Sequence, residues 1–242
     1  MVPPRLLRQI GNGDFAAIGR EFKDHLIRLA ELESTSRVLD LGCGVGRIAI
    51  PLTEVLSPPG CYEGIDIVRN NIQWCSSRIS PRHAHFGFSH ANVFNKYYNP
   101  KGTTSAQSYR LPFDAGSFDI VFLVSVFTHM RLNEMENYVS EASRVLKQDG
   151  RLFATFFLLN TSARTAIARR TSHLQFQSAD EDIAMFNPRV PEHAIAFDET
   201  LVRGLLEGSG FRVRDPIAYG SWSGHEAPLS FQDILVAHKT RV

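Results

Sequence analysis

Val38-Leu39-Asp40-Leu41-Gly42-Cys43-Gly44-Val45-Gly46-Arg47 is the stretch whose reading decides the fold of this chain. An apolar run ends in an acid, three glycines alternate, and a segment with helical apolar spacing begins. Glycine tolerates positive φ and lets the backbone come close to a ligand. The pattern therefore predicts a strand, a tight loop and a helix whose N-terminal N–H groups face a bound molecule. That is the opening unit of a nucleotide-type binding site. A dinucleotide fingerprint, G-x-G-x-x-G, needs glycine at position 47, where Arg47 stands. The spacing is G-x-G-x-G instead. A tight turn in any α/β protein would read the same way, so the rest of the chain has to decide.

Working outward, strands and helices alternate. Helical spacing of Phe15, Ile18, Phe22, Leu26 and Leu29 predicts a helix over 15–33. Strand one covers Arg37–Leu41, and a helix over 47–56 follows, with Pro51 tolerable only if that helix starts late. Further strands are expected at 61–66, 85–93, 118–124 and 151–159, with helices over 69–79 and 131–146 between them. Residues 95–117 read as a long loop rich in Asn, Pro, Gly, Ser and Tyr. Residues 160–197 break the rhythm, weakly helical and basic first, then acidic with two prolines. A helix over 199–207 and strands at 211–217 and 231–238 close the chain. Strands alternating with helices imply a parallel sheet covered on both faces. The last two strands lack a helix between them and should pair antiparallel.

Composition narrows the class. The 242 residues suffice for one α/β domain with insertions, so a single domain over 1–242 is expected. Within it, 1–35 form a helical cover and 160–197 a lid insertion. Lys plus Arg is 26 against 25 for Asp plus Glu, so no positive excess marks a nucleic-acid or membrane binder. Cys43, Cys61 and Cys75 are odd in number, lack C-x-x-C spacing and suit a reducing, cytoplasmic setting. No apolar leader opens the chain and no stretch is long enough to span a bilayer.

Asp66 ends strand two, twenty positions past Gly46. An acid there can accept from both hydroxyls of an adenosine ribose; it can also cap the next helix. The Gly42/Gly44/Gly46 loop resembles motif I of the class I S-adenosylmethionine-dependent methyltransferases, and Asp66 matches that family's acid after strand two. Leu111-Pro112-Phe113-Asp114-Ala115-Gly116-Ser117-Phe118-Asp119 resembles its lead into strand four. Arg144-Val145-Leu146-Lys147-Gln148-Asp149-Gly150 resembles its helix-to-strand turn, with Gln148-Asp149 where the family has Pro-Gly. Four segments in the right order span about 115 residues.

The resemblance implies a doubly wound α/β fold, a mostly parallel seven-stranded sheet with the last strand antiparallel. It implies S-adenosylmethionine as cofactor, with Asp40 toward the ammonium, Ile67 beside Asp66, and Asn92 with Val93 near the adenine. Asn92 stands where the family often has Asp. Backbone at Ser125 and Phe127 should line the pocket. His129 could take a proton from an acceptor hydroxyl or amine, or simply hold neighbouring backbone at a helix start. Ser125 and Thr128 stand where metal-dependent relatives carry acids, and His173, His193 and His225 show no ligand spacing, so no metal is expected. Tyr97, Tyr98 and Tyr109 could line an acceptor site, and Ile10–Phe15 could cover the cofactor. Arg164, Arg169, Arg170 and His173 could draw an anionic or polyhydroxyl acceptor to the lid, or simply form a solvated basic helix face. The function implied is metal-independent methyl transfer to a small-molecule acceptor at oxygen or nitrogen. The alternative is a non-catalytic S-adenosylmethionine-binding regulatory or partner subunit.

Overall fold

In the computed structural model, which describes residues 2–4, 7 and 13–240, the chain opens with α1 (Phe15–Leu29). Asp14 caps it by accepting from the Ala17 N–H at 2.7 Å. The deciding stretch then forms β1 (Arg37–Leu41), a loop, and α2 (Ala49–Leu52). Only four residues of the expected 47–56 helix are helical, and Pro51 sits in their first turn, where its missing N–H costs nothing. There follow β2 (Cys61–Asp66), α3 (Arg69–Arg78), β3 (Phe86–His90), β4 (Phe118–Leu123), α4 (Leu132–Val145) and β5 (Leu146–Phe156). The chain ends through α6 (Glu199–Gly208), β10 (Phe211–Val213) and β11 (Asp233–Lys239), after a segment described below.

The seven-stranded sheet runs β10-β11-β5-β4-β1-β2-β3. All neighbours from β5 to β3 pair parallel; β11 alone is reversed, antiparallel to both β5 and β10. Alternate strand residues feed two cores. Val121 and Leu123 of β4 face the cluster under α4 and α6, whereas Ile120 and Phe122 face the cluster under α1, α2 and α3. Burial on both faces is why these strands read as unbroken apolar runs. The two segments flanking β4 in the family resemblance are fastened to each other. Glu141 accepts from the Leu111 N–H at 2.7 Å, and the Arg144 guanidinium donates to the Phe113 and Leu111 carbonyls at 2.7 and 3.0 Å. Lys147 pairs with Asp119 at 2.7 Å. Asp149, where the family has glycine, takes φ +61°.

Residues 160–197 are not the irregular insertion that the sequence suggests. Between β5 and α6 lie β6 (Leu158–Leu159), α5 (Thr161–Ala168), β7 (Gln177–Ser178), β8 (Ile183–Met185) and β9 (Ile195–Asp198). They make a second, four-stranded sheet in the order β6-β9-β8-β7. It closes a separate core in which Trp222 meets Phe157 and Phe176 edge-on, at 5.3 and 5.4 Å between ring centroids. Buried Asp233 fixes this core to the main sheet. It accepts from the N–H of Leu158 at 2.7 Å, the N–H of Gly220 at 2.7 Å and the indole of Trp222 at 2.8 Å. Asp233→Asn would turn one of those acceptors into a donor facing a donor. The expected cost is about 2 kcal/mol of stability, seen as a lower Tm; an unchanged Tm would remove Asp233 from this role.

Candidate cofactor site

At the carboxyl ends of β1, β2 and β4 the backbone opens into two adjoining cavities that share Leu7, Gly42 and Ser125. The loop between β1 and α2 makes the partition. Gly42, Gly44 and Gly46 hold φ of +93°, +54° and +73°, a region that other residues enter only at a cost. A Cβ on Gly42 would lie 2.4 Å from a Val126 methyl, so the strand-four loop closes directly onto bare glycine. Gly46 plays a different part from the one expected. Its Cβ position is 2.8 Å from Ile79, it lines neither cavity, and it lets the loop pack on the end of α3.

Four of the loop N–H groups turn to the protein itself, contrary to the reading of the sequence. Gly42 and Cys43 donate to the Ile65 carbonyl at 2.8 and 3.0 Å, Gly44 to Asp66 at 2.8 Å, and Gly46 to the Cys43 carbonyl at 3.0 Å. With these donors consumed, the loop offers no row of N–H groups for a pyrophosphate. A ligand here must be recognised mainly by side chains and shape.

Asp66 lines the larger cavity and ties the loop to α3. One oxygen accepts from Gly44 and the other from the Val68 N–H at 2.7 Å, and the Asn71 side chain bonds it as well. Burial pushes its pKa up while these donors pull it down. Three donors engage the carboxylate's roughly four lone-pair sites, so capacity remains for a hydroxyl donor on the less engaged oxygen. Ile67 and Val93 line the same cavity. Asn92 does not: its amide donates to the Thr103 hydroxyl at 2.8 Å, outside the lining. Along this extended segment Ala91 and Val93 turn inward and Asn92 outward.

Asp40 lines the smaller cavity with Gly42, Gly44 and Arg47. Its carboxyl is bonded to the Tyr62 hydroxyl at 2.6 Å, and burial pushes its pKa up to about 8. A cationic group brought into this cavity would restore the carboxylate. Arg47 faces the same acid and is itself shifted down by burial.

Ser125 lines both cavities, whereas Phe127 lines neither. Phe127 is fully buried and stacks on Phe156 at 5.2 Å between centroids, because the turn over Phe127–His129 rotates it into the core. His129 stands on the wall of the larger cavity. Its Nδ1 is 2.9 Å from the Glu192 carbonyl; only a ring N–H can bond there, so the neutral ring keeps its lone pair on Nε2. Burial holds its pKa below the ordinary value of 6.5, which keeps the ring neutral. Tyr98 and Tyr109 line this cavity; Tyr97 is exposed outside it. Asn71, Glu134 and Tyr138 also line it, and no sequence pattern singles them out.

Among the described residues of 160–197, none lines either cavity. Arg164 is held by Asp198 at 3.0 Å and by the Glu181 carbonyl at 2.9 Å. Arg169, Arg170 and His173 are exposed and distant in role from the lining. The segment reaches the wall through the turn Pro191–His193, by way of His129 and the Arg131–Glu192 pair at 3.3 Å, and through β9, which packs against Phe127–His129. Ile10, Gly11 and Asn12 of the expected cover lie outside the described residues; Phe15, its last residue, lines the smaller cavity, and α1 packs beside α2 with Gly19 against the Arg47 carbonyl. Among the described residues no cluster of three or more His, Cys, Asp or Glu could hold a metal ion, and no helix is long and apolar enough to cross a membrane.

Asp66, Ile67 and Val93 thus share the larger cavity, and Asp40 lines the smaller one that adjoins it. Comparison with known proteins adds the family. A family model for the methyltransferase domain matches residues 39–154. The human tRNA N(3)-cytidine methyltransferase METTL2B is 27% identical over 125 residues, which cover 48% of this chain and 28% of that protein. The match thus spans less than a third of that relative's length. In structure, the PH0226 protein of Pyrococcus horikoshii superposes with a TM-score of 0.63 at 17% identity, over 96% of this chain and 94% of its own. Magnesium protoporphyrin IX methyltransferase of Synechocystis, crystallised with S-adenosylhomocysteine (SAH), gives 0.58 at 16% identity, over 98% of this chain and 92% of its own. The chain thus has the fold of these methyltransferases, with the reversed last strand at the edge of the sheet, and its residues 39–154, which hold the glycine loop and Asp66, match the methyltransferase domain family.

Proposed function

We propose that the chain transfers the methyl group of S-adenosylmethionine to a small-molecule acceptor, at oxygen or nitrogen and without a metal ion. The lining of the larger cavity carries this reading. Asp66 and Glu134 are its charged members, and no lysine or arginine is among the described lining residues. A polynucleotide acceptor needs cationic side chains against its phosphates, and the whole chain has a formal charge of only +1. Asp66 would hold the ribose hydroxyls, Ile67 and Val93 would offer apolar surface to the base, and Asp40 would face the amino-acid end. The bound cofactor supplies an electrophilic methyl group on a sulfonium centre. What the protein adds is placement, exclusion of water and a proton acceptor. Gly42 and Ser125, shared by the two cavities, form the junction over which the ligand would lie. Neutral His129 on the wall takes the acceptor's proton through Nε2, and the turn Pro191–His193 holds the ring by its other nitrogen. In this reading 160–197 acts on the site through that turn rather than through its arginines. The three free cysteines suit action in a reducing cytoplasm.

The tRNA methyltransferase among the relatives favours a second reading, a nucleic-acid acceptor. Incubating the protein with cell extract and methyl-labelled S-adenosylmethionine separates the two. Label in the low-molecular-mass fraction, insensitive to ribonuclease, is the expected result. Label confined to RNA would replace the small-molecule reading. SAH binding with no transfer to any fraction would leave the non-catalytic binding subunit.

A further inference from the structure

We propose that Thr155 and Gln232 are positioning residues for methyl transfer, which hold Ser125 in a left-handed conformation at the junction of the two cavities. The proposal rests on the reading of those cavities as the cofactor site.

Ser125 follows β4 at φ +58°, where a serine pays for the clash between its Cβ and its own carbonyl. Its neighbours include no glycine or proline to force the turn: the sequence runs Leu123-Val124-Ser125-Val126-Phe127. Hydrogen bonds from β5 and from the residue before β11 hold the conformation. The Ser125 N–H donates to the Thr155 hydroxyl at 2.8 Å, and the Ser125 hydroxyl donates to Gln232 Oε1 at 3.0 Å. Thr155 closes the triangle by donating to the same Oε1 at 2.6 Å.

The placement of the three residues gives the triangle its consequence. Thr155 is a fully buried hydroxyl near the end of β5, between Ala154 and Phe156. Gln232 immediately precedes β11, the reversed strand. Ser125 lines both cavities, and the adjacent Val126 methyl occupies the space that a side chain on Gly42 would take. Rotation of Ser125 toward an ordinary φ would carry Val126 with it, against the glycine loop on one side and the cavity wall on the other. A buried threonine needs partners wherever it lies, so satisfied hydrogen bonds alone show no functional role. The role follows from what they hold, a strained residue at the junction.

The test is SAH titrated calorimetrically into wild type and into Thr155→Val, Thr155→Ser and Gln232→Leu, with Tm recorded for each. Valine keeps the shape of threonine and removes the hydroxyl that both accepts and donates. Thr155→Val is expected to weaken SAH binding about tenfold, as the loss of one to two net hydrogen bonds does. Thr155→Ser, which keeps the hydroxyl, should bind within about twofold of wild type by the same accounting. Gln232→Leu, at a half-buried site outside the linings, should weaken binding in the same direction and keeps the test open if Thr155→Val does not fold. A Thr155→Val protein that melts lower yet binds SAH like wild type overturns the proposal, and so does a Thr155→Ser protein as weak as the valine variant. Wild type that fails to bind SAH would instead remove the cofactor reading on which the proposal rests.

Discussion

Asp66→Ala is expected to weaken SAH binding by about a hundredfold, some 3 kcal/mol, because two hydroxyls lose a charged acceptor. It should also lower Tm. The same carboxylate holds the Gly44 and Val68 N–H groups at 2.8 and 2.7 Å, and alanine leaves both donors without it. The two effects are separable with Asn71→Ala, which removes one partner of the carboxylate and leaves the acid in place. If the role of Asp66 were only to brace the loop, affinity in both variants would fall in proportion to stability. If it holds the ribose, Asp66→Ala loses affinity far beyond what its change in Tm explains. Calorimetry that finds Asp66→Ala within about threefold of wild type would take Asp66 out of the ligand's reach and leave it a structural brace.

The large elements were legible because burial on two faces writes itself into sequence. Ile120 and Phe122 serve one core while Val121 and Leu123 serve the other, which leaves β4 no polar position inside its buried run. Neither the second sheet nor its core had such a signal. Strands of two and three residues, as at Gln177–Ser178 and Ile183–Met185, are too short for alternation to show. Their core is completed by Trp222 and the Asp233 hub, tens of residues away.

The site was legible in type and less so in detail, for the same physical reason. Motif spacing carries Asp66 and the glycine loop to the right edge of the sheet, but a one-residue turn decides which side chain faces the ligand. Asn92 and Phe127 sit one position from residues that line the cavity, Val93 and Val126. The loop glycines suggested free N–H groups, which the Ile65 carbonyl and Asp66 had already engaged across the β1–β2 pairing. Arg164 looked unopposed only because its partner, Asp198, lies 34 positions on. Thr155 and Gln232 are 77 positions apart, and nothing in either neighbourhood announces the other.

His129→Asn is expected to lower kcat about a hundredfold while SAH affinity stays unchanged, the loss typical of a removed general base. The sign of the pH effect follows from burial. The ring's pKa lies below its ordinary value of 6.5, so the lone pair on Nε2 is present at neutral pH and disappears as pH falls through that lower value. Wild-type kcat should therefore be flat near neutrality and drop only on the acid side, and the residual activity of His129→Asn should lack that limb. Asparagine can still donate to the Glu192 carbonyl, now bonded to Nδ1 at 2.9 Å, so the turn Pro191–His193 keeps a tether. His129→Ala removes both functions, and its comparison with asparagine divides tethering from proton transfer. If asparagine restores a rate that alanine loses, the ring is a fastener for the Glu192 turn and another group, or water, takes the proton. If both variants are equally slow and the acid limb vanishes in each, the imidazole itself is the base.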